Sequence, residues 1–369
     1  MPQPLLLAAF ALTLAAATTQ TPESTAVALR QHQYDLEADG REFLLMEARR
    51  ASFFALGELH GENEIPQLLR ALWPSLWNHG YRHVAAELSP WAARRLEFER
   101  STLPAQGHGL WRSAEAETVT ALKKNRLPAV LWGCDIEELR PDQLIRELAL
   151  GDRNNRALQT MAEKTAQGYR RSAATELREL ARRALEEHKS QAASMSTLRN
   201  LLQTLEVESL RSSQATRFEA STRRELVMKE LFVESYKLAG GKPKVLARFG
   251  RNHLHRGYDR RGVSTLGNFI AELAAAQGQS SFHVAAFGAG GKVLMPGGVT
   301  DWDETKDDPA FALLASEARY AATLFDLRPL RPALHQIPAS KLSPTEASLL
   351  YWSDSYDAII CYRQVTPLL

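Results

Sequence analysis

The sequence predicts an α/β protein with a mostly parallel central sheet flanked by helices and with an inserted helical subdomain. Two observations support this fold class. Short apolar runs alternate with segments of helical periodicity over residues 18–140 and 239–369, an alternation typical of parallel sheets. Between them, residues 141–238 contain no strand-like run and are rich in Leu, Ala, Arg, Glu and Gln. We therefore expect one α/β domain in two segments, interrupted by a helical insertion.

Three apolar runs define the first part of the predicted sheet. Strands are expected at 51–56, 83–87 and 129–134, and helices at 65–79, 91–99 and 114–124. The helix at 65–79 has Leu and Trp side chains at helical spacing and is followed by Gly80, a common helix terminator.

The second part of the sheet follows the insertion. Strands are expected at 244–249, 282–287 and 356–362, with a helix at 266–275. The glycines at 288–291 lack the spacing of a nucleotide-binding fingerprint and are interpreted as a turn. The insertion at 141–238 is expected to form several long helices with a solvated charged face, placed where a lid over substrate would lie.

Composition excludes several classes of protein. At 369 residues, with 44% hydrophobic and 24% charged residues, the chain is long enough for one large domain carrying an insertion. The net charge of +2, with basic and acidic residues interleaved, gives no argument for nucleic acid binding. Cys134 and Cys361 lie in strand-like runs, which favours two buried small side chains over one disulfide or a reactive thiol.

The N-terminal residues 1–17 are typical of a signal peptide. The apolar run at 5–17 is too short for a stable membrane anchor and ends in small residues suited to cleavage after Ala17. No other apolar stretch is long enough to span a bilayer. We expect a soluble periplasmic or secreted protein without stable membrane insertion.

Polar side chains follow four predicted strands at the point where each strand ends. Glu58 and His60 follow the first strand, Glu87 closes the second, Asp135 follows the third and His253 follows the fourth. Because the carboxyl ends of parallel strands share one edge of a sheet, these groups are expected to meet in one pocket. We predict that Glu58, His60, Glu87 and His253 are catalytic, while a structural salt bridge remains the alternative for Glu87.

Further residues near the strand ends are expected to bind substrate. They are Glu64, Asp135, Arg251, His255 and Arg256. Glu64 lies one helical turn after His60, and the two arginines are suited to an anionic group or a developing oxyanion. Stabilisation of a helix start remains open for Glu64 and Asp135, and a surface role remains open for the other three.

The spacing of these residues allows two kinds of chemistry. A His and a Glu four residues apart can bind a metal ion, or the carboxylate can orient the imidazole as a base. The metal ligands would be Glu58, His60, Glu64 and His253, but the metal-free site is preferred because no compact metal motif is present. Signatures of serine hydrolases with a Gly-x-Ser-x-Gly elbow, P-loop proteins, zincins and zinc fingers are absent from the sequence.

The motif G-E-x-H-G-x-x-E at 57–64, together with Glu87 and the loop around His253, resembles a superfamily. This superfamily joins the erythromycin esterases, the ChaN-type haem-binding proteins and the TraB/Tiki-type peptidases. Shorter matches lie at 224–228, 266–267 and 356–360, so the resemblance covers most of 51–367.

The resemblance implies a function as well as a fold. By similarity to erythromycin esterases, Glu58, His60 and His253 would surround a water that attacks an ester carbonyl. The Glu-x-His spacing is closer to the ChaN and TraB/Tiki branches, which implies haem or a divalent metal as alternative cofactors, although none is assumed. We expect a hydrolase acting on an ester or amide of a small molecule or peptide; the alternative is a haem- or metal-binding uptake protein without turnover.

Overall fold

The computed structural model describes residues 22–99, 115–123, 130–187 and 192–369. The predicted signal peptide at 1–17 lies outside the described residues, as do residues 114, 124 and 129 at the ends of two predicted elements. None of the helices in these ranges has the length and apolarity needed to cross a membrane.

Helices and strands alternate along most of the chain. The first half contains α1 (Pro22–Gln31), β1 (Gln33–Asp35), α2 (Asp39–Arg50), β2 (Phe53–Glu58), α3 (Glu64–Asn78), β3 (Tyr81–Ala86), α4 (Pro90–Phe98), α5 (Ala116–Lys123), β4 (Leu131–Gly133), α6 (Pro141–Gly151), α7 (Arg156–Lys164), α8 (Ala174–Glu187) and α9 (Ala192–Leu210). The second half contains α10 (Arg217–Ala239), β5 (Lys244–Gly250), α11 (Leu266–Ala276), β6 (Ser281–Gly288), β7 (Lys292–Met295), β8 (Gly298–Asp301), α12 (Pro309–Glu317), β9 (Ala322–Asp326), α13 (Arg331–Gln336), α14 (Pro344–Ser355) and β10 (Ala358–Tyr362).

The central sheet has eight strands in the order β1-β9-β10-β6-β2-β5-β3-β4. The six strands from β10 to β4 are parallel, whereas β9 is antiparallel to both of its neighbours. The predicted mostly parallel α/β fold is therefore confirmed. The six predicted strands correspond to β2, β3, β4, β5, β6 and β10. The sequence did not predict β1, β9 or the separate β7–β8 hairpin.

Two apolar cores cover the two faces of the sheet. Successive side chains of a strand point to opposite faces, so Phe54 and Leu56 of β2 join one core, and Phe53 and Ala55 join the other. The first core also contains residues of α2 to α9, while the second contains residues of α1 and of α9 to α14. This layering leaves the strand ends at the edge of the sheet for polar groups.

The predicted insertion at 141–238 comprises α6 to α10. Its last helix, α10, packs directly on the sheet, because Phe232 lies against Trp132 with ring centroids 5.8 Å apart and against Phe53 with ring centroids 6.0 Å apart. Helix α10 therefore belongs to the layer that covers the sheet, and its N-terminal half extends toward the strand ends.

Both cysteines are buried small side chains in the structure. Cys134 follows β4, Cys361 lies in β10, and neither forms a disulfide. Burial raises the pKa of both thiols, which keeps them protonated and unreactive at neutral pH.

Candidate active site

The order of the strands brings the predicted site residues together. In the register of the sheet, Glu58 of β2 pairs with Gly250 of β5, and Ala86 of β3 pairs with both Arg248 of β5 and Gly133 of β4. The carboxyl ends of four neighbouring strands therefore lie side by side, as expected for the ligand-binding edge of a parallel sheet.

Glu87 lies at the centre of the site, between two imidazoles. Its Oε2 atom lies 3.3 Å from Nε2 of His60, and its Oε1 atom lies 3.4 Å from Nε2 of His253. The backbone N–H of Gly250 donates to Oε2 at 2.7 Å and thereby fixes the carboxylate.

Each imidazole has a second carboxylate at its other ring nitrogen. Nδ1 of His60 lies 3.0 Å from Oε1 of Glu58, and Nδ1 of His253 lies 2.5 Å from Oε1 of Glu225. The five side chains form a continuous series, Glu58, His60, Glu87, His253 and Glu225, which we call the carboxylate–imidazole chain. In it, both nitrogens of each imidazole face a carboxylate oxygen.

The carboxylates determine the charge of the imidazoles. Burial disfavours the charged form of His60, but Glu87 and Glu58 outweigh burial and raise the pKa of His60 to about 10. Burial likewise opposes protonation of His253, and Glu87 and Glu225 raise its pKa to about 10. Burial alone would raise the pKa of Glu87, yet the two imidazoles hold that pKa well below its ordinary value. At neutral pH the chain therefore holds two imidazolium ions around an ionised Glu87.

Two arginines, the buried Arg248 and the partly buried Arg224, fix the carboxylates. Arg248 of β5 donates from Nε to Glu58 at 2.6 Å and from Nη2 to Glu115 at 2.5 Å. Arg224 of α10 donates from Nη2 to Glu87 at 2.8 Å and to Asp135 at 2.5 Å. Charge-assisted hydrogen bonds of this kind hold the acceptor oxygens in position.

Gly250 allows the close approach of the central groups. A Cβ atom at this position would lie 2.9 Å from Nε2 of His60 and 3.2 Å from Oε2 of Glu87. A larger residue would therefore force the imidazole and the carboxylate to move.

The carboxylate–imidazole chain borders an open cavity of about 330 Å³. The lining includes Glu58, His60, Glu87, His253 and Arg224. The His60 side chain is 27% exposed and the His253 side chain is 11% exposed. Both imidazoles are thus accessible to a small molecule in the cavity.

The structure places the other predicted residues in different surroundings. Arg251 lines the cavity and pairs with Glu304. Asp135 pairs with Arg224 and so borders the site from behind. Arg256 pairs with Asp357 at 2.9 Å and does not line the cavity, so it is fixed by a structural ion pair.

Glu64 and His255 are not brought into this cavity either. Glu64, the first residue of α3, accepts hydrogen bonds from the backbone N–H and the hydroxyl of Thr366 at 2.9 and 2.7 Å. His255 is buried beside Tyr351 and Trp352, with ring centroids 5.2 and 5.3 Å away, and burial lowers its pKa to about 3. It lines a neighbouring cavity, because the turn of 3₁₀ helix at Arg251–His253 redirects the chain between the two histidines.

Sequence reasoning missed the groups that hold the central residues. They are Arg224, Glu225, Arg248 and Glu115. Arg248 interrupts the apolar β5 strand, and a buried charge in such a strand requires a partner. Arg224 and Glu225 belonged to a short motif of the resemblance at 224–228, but the sequence indicated no contact with His253.

Comparisons with known proteins support the fold. No protein-family model and no curated protein sequence matches the chain. Among solved structures, a protein from Bacillus cereus matches with a TM-score of 0.61 and 15% identity, covering 94% of this chain and 98% of that one. A succinoglycan biosynthesis protein matches with a TM-score of 0.62 and 14% identity, covering 94% and 97%. An erythromycin esterase, EreC, matches in its open conformation with a TM-score of 0.58 and 15% identity, covering 89% and 94%.

This chain has the erythromycin esterase fold. The similarity extends over nearly the full length of both chains in each case, so the predicted resemblance is confirmed at the level of the fold. Fold similarity alone does not identify a substrate.

The candidate site has few donor atoms available for a metal ion or haem. Among the described residues, no group of three or more His, Cys, Asp or Glu side chains is arranged to hold a metal ion. Both ring nitrogens of His60 and of His253 lie within 3.4 Å of a carboxylate oxygen, so a metal ion or haem iron would have to displace one of these contacts in order to bind. Glu64 lies outside the cavity, which removes one of the four predicted ligands. The residues in this arrangement do not fit a metal or haem centre.

Proposed function

We propose that the protein is a hydrolase that cleaves an ester or amide bond of a small molecule with a His-activated water. The carboxylate–imidazole chain at an open cavity supports this proposal, because it supplies two positioned imidazoles and a carboxylate between them. The erythromycin esterase fold is consistent with this chemistry.

His60 is the general base in this proposal. Its side chain lines the cavity, its Nε2 atom lies 3.3 Å from Glu87, and its Nδ1 atom is oriented by Glu58. In its neutral form, His60 accepts a proton at Nε2 from water as the water oxygen attacks the carbonyl carbon. Glu58 then stabilises the imidazolium that forms, as a buried carboxylate does in other hydrolytic sites.

His253 performs the complementary step. Its pKa of about 10 keeps it protonated at neutral pH, so it stabilises the negative charge that develops on the carbonyl oxygen. When the tetrahedral intermediate collapses, the proton from His253 goes to the leaving oxygen or nitrogen. Glu87 is ionised between the two imidazoles. It favours proton uptake by His60 and holds His253 in place.

Turnover by single-residue variants tests the proposal. We expect His60→Gln and His253→Gln each to reduce kcat on ester and amide substrates by roughly 10²- to 10⁴-fold, the usual contribution of a positioned acid or base. A panel of 4-nitrophenyl esters and anilides provides the assay, and circular dichroism checks that each variant is folded.

His335→Gln serves as the matched control, because the His335 side chain on α13 is 57% exposed and lies outside the site cavity. Its rate should equal that of the native protein. Near-native rates for both His60→Gln and His253→Gln would refute the assignment, as would equal losses of activity and folded structure.

A further inference from the structure

A second cavity, which we call the arginine cavity, lies beside the candidate active site. Its volume is about 610 Å³, within the range of small-molecule sites. It is lined by Arg171, Arg211, Arg217, Phe218, Ala220, Ser221 and Arg261. Four guanidinium groups and no carboxylate are present among the described residues that line it.

Carboxylates outside the cavity lining partly compensate the positive charge of three of these arginines. Arg171 donates from Nε to Glu208 at 2.6 Å, and Arg211 donates from Nη1 to the same carboxylate at 2.8 Å. Arg261 donates from Nε to Asp259 at 2.7 Å. Because a guanidinium group has five N–H donors and these bonds use only some of them, each arginine retains donors for a ligand.

Arg217 has no carboxylate partner within the described ranges and is exposed to solvent. It is the first residue of α10, the 23-residue helix that also carries Arg224 and Glu225. The positive end of the helix dipole therefore adds to the positive charge of the arginines. The four guanidinium groups outnumber the carboxylates that pair with them, Glu208, Asp259 and Glu138, which leaves a net positive charge at the cavity.

The arginine cavity and the candidate active site are neighbours. Arg261 lines both of them, and Arg211 pairs with Glu138, another residue of the active-site lining. A molecule with a reactive carbonyl beside His60 can thus extend an acidic group toward the arginines.

We propose that the arginine cavity binds an anionic group of the substrate, which is a carboxylate, sulfate or phosphate. The ester or amide bond of the same substrate molecule is cleaved at the candidate active site. The proposal rests on the proposed function for the cleavage step and on the cavity itself for the anion. Arginine is the side chain best suited to such oxyanions, because its planar fork forms paired hydrogen bonds with them. The inferred substrates are acidic esters or amides.

Anion binding tests the proposal without turnover. Isothermal titration of the full chain with inorganic phosphate and with glutarate should show saturable binding of at least one anion at constant ionic strength. Arg217→Gln should weaken that binding roughly tenfold, as expected for the loss of charge-assisted hydrogen bonds. Arg183→Gln, which removes one exposed arginine from α8, is the matched control and should bind as the native protein does.

The kinetic readout compares the 4-nitrophenyl monoester of glutarate with neutral 4-nitrophenyl butyrate. The kcat/KM value for the glutarate monoester divided by that for the butyrate ester should fall in Arg217→Gln and stay unchanged in Arg183→Gln. Equal anion affinity of the two variants, or no saturable binding of either anion, would overturn the arginine cavity as an anion site. If Arg217→Gln loses anion binding but the native protein hydrolyses neither ester, the result would support the cavity as an anion site and contradict the proposed function.

Discussion

Solvent reaches His60 more readily than His253, and the proposed roles of these two otherwise similar imidazoles rest on this difference. The side chains are 27% and 11% exposed, while both lie between two carboxylates and both have a pKa raised to about 10. The attacking water must come from solvent, so the more accessible His60 is the suitable base. His253, fixed by Glu225 and less exposed, is the suitable acid.

In the proposed mechanism, the raised pKa of His60 should control how the rate depends on pH. Burial lowers this pKa, but Glu87 and Glu58 raise it to about 10, and only the neutral imidazole can accept a proton from water. We expect kcat/KM to rise by about tenfold per pH unit above neutral pH, to reach a maximum near pH 10, and to fall at higher pH as His253 loses the proton that it must donate. The measurement is the pH profile of kcat/KM for a neutral ester.

Glu58→Gln provides the internal comparison for this profile. It removes one of the charges that raise the pKa of His60, so the midpoint of the rise should move to lower pH. A rate that falls between neutral pH and pH about 10 would show that protonated His60 acts as an acid instead.

The sequence was sufficient to find the residues at strand ends but not those that hold them. Glu58, Glu87 and His253 could be predicted because the carboxyl ends of parallel strands share one edge. Glu225 lies on a helix 28 residues before its partner His253, and only the packing of α10 on the sheet brings them together. His255 was predicted at the site because it is close to His253 in the sequence, whereas one turn of 3₁₀ helix separates their side chains.

At the scale of elements, α10 connects the predicted insertion to the active site. Its consecutive residues Arg224 and Glu225 contact Glu87 and His253 respectively. Farther along the same helix, Met228 and Phe232 are fully buried in the core that covers the sheet. A movement of α10 would therefore disturb both the candidate site and the core.

Hydrogen exchange can distinguish α10 from the other helices of the predicted insertion by the rates at which their amides exchange. We expect the amides of α10 to exchange as slowly as those of β2 and β5, because opening this helix exposes core residues and breaks the ion pairs of Arg224 and Glu225. Helix α8 has a largely exposed face, and its amides should exchange faster.

Mass spectrometry after timed labelling in D₂O gives the exchange rate of each segment. The amides of β2 provide the reference for slow exchange, since every residue of this strand is buried. Exchange of α10 at the rate of α8 would contradict the assignment of α10 to the sheet layer.

Two of the strands that the sequence missed, β1 and β8, differ physically from those it predicted. All residues of β2 are buried, and so are nearly all residues of β5 and β6, which gives the continuous apolar runs typical of parallel strands. The edge strand β1 has three residues, Gln-Tyr-Asp, and the hairpin strand β8 is largely exposed. Their pairing depends on tertiary contacts that have no distinct sequence pattern.

Three neighbouring cavities form the candidate functional face of the molecule. Arg261 lines the active site, the arginine cavity and the aromatic cavity that includes His255. The fold that supports this face is shared with an erythromycin esterase. The ligand, however, is determined by the side chains that line the cavities. Conclusions about substrate therefore depend on the arginines and aromatic residues of this chain.

The stability of the whole molecule should depend on pH through the carboxylate–imidazole chain. A net charge of +2 is close to neutral, so general charge repulsion is weak near neutral pH. The folded pKa values of His60 and His253, about 10, lie above the ordinary value of 6.5. The stabilisation from these two groups is therefore complete below about pH 6.5 and is lost as the pH rises through about 10.

Thermal unfolding tests this expectation. We expect Tm to fall steadily between about pH 6.5 and about pH 10, because the folded protein must release two protons that its carboxylates hold. The double variant His60→Gln, His253→Gln lacks both titrating groups, so its Tm should be lower near neutral pH and change much less over the same range. A native Tm that is constant across this range would contradict the raised pKa values. An equal decline in the double variant would assign the alkaline loss to other groups and leave the two imidazoles without an electrostatic contribution to the fold.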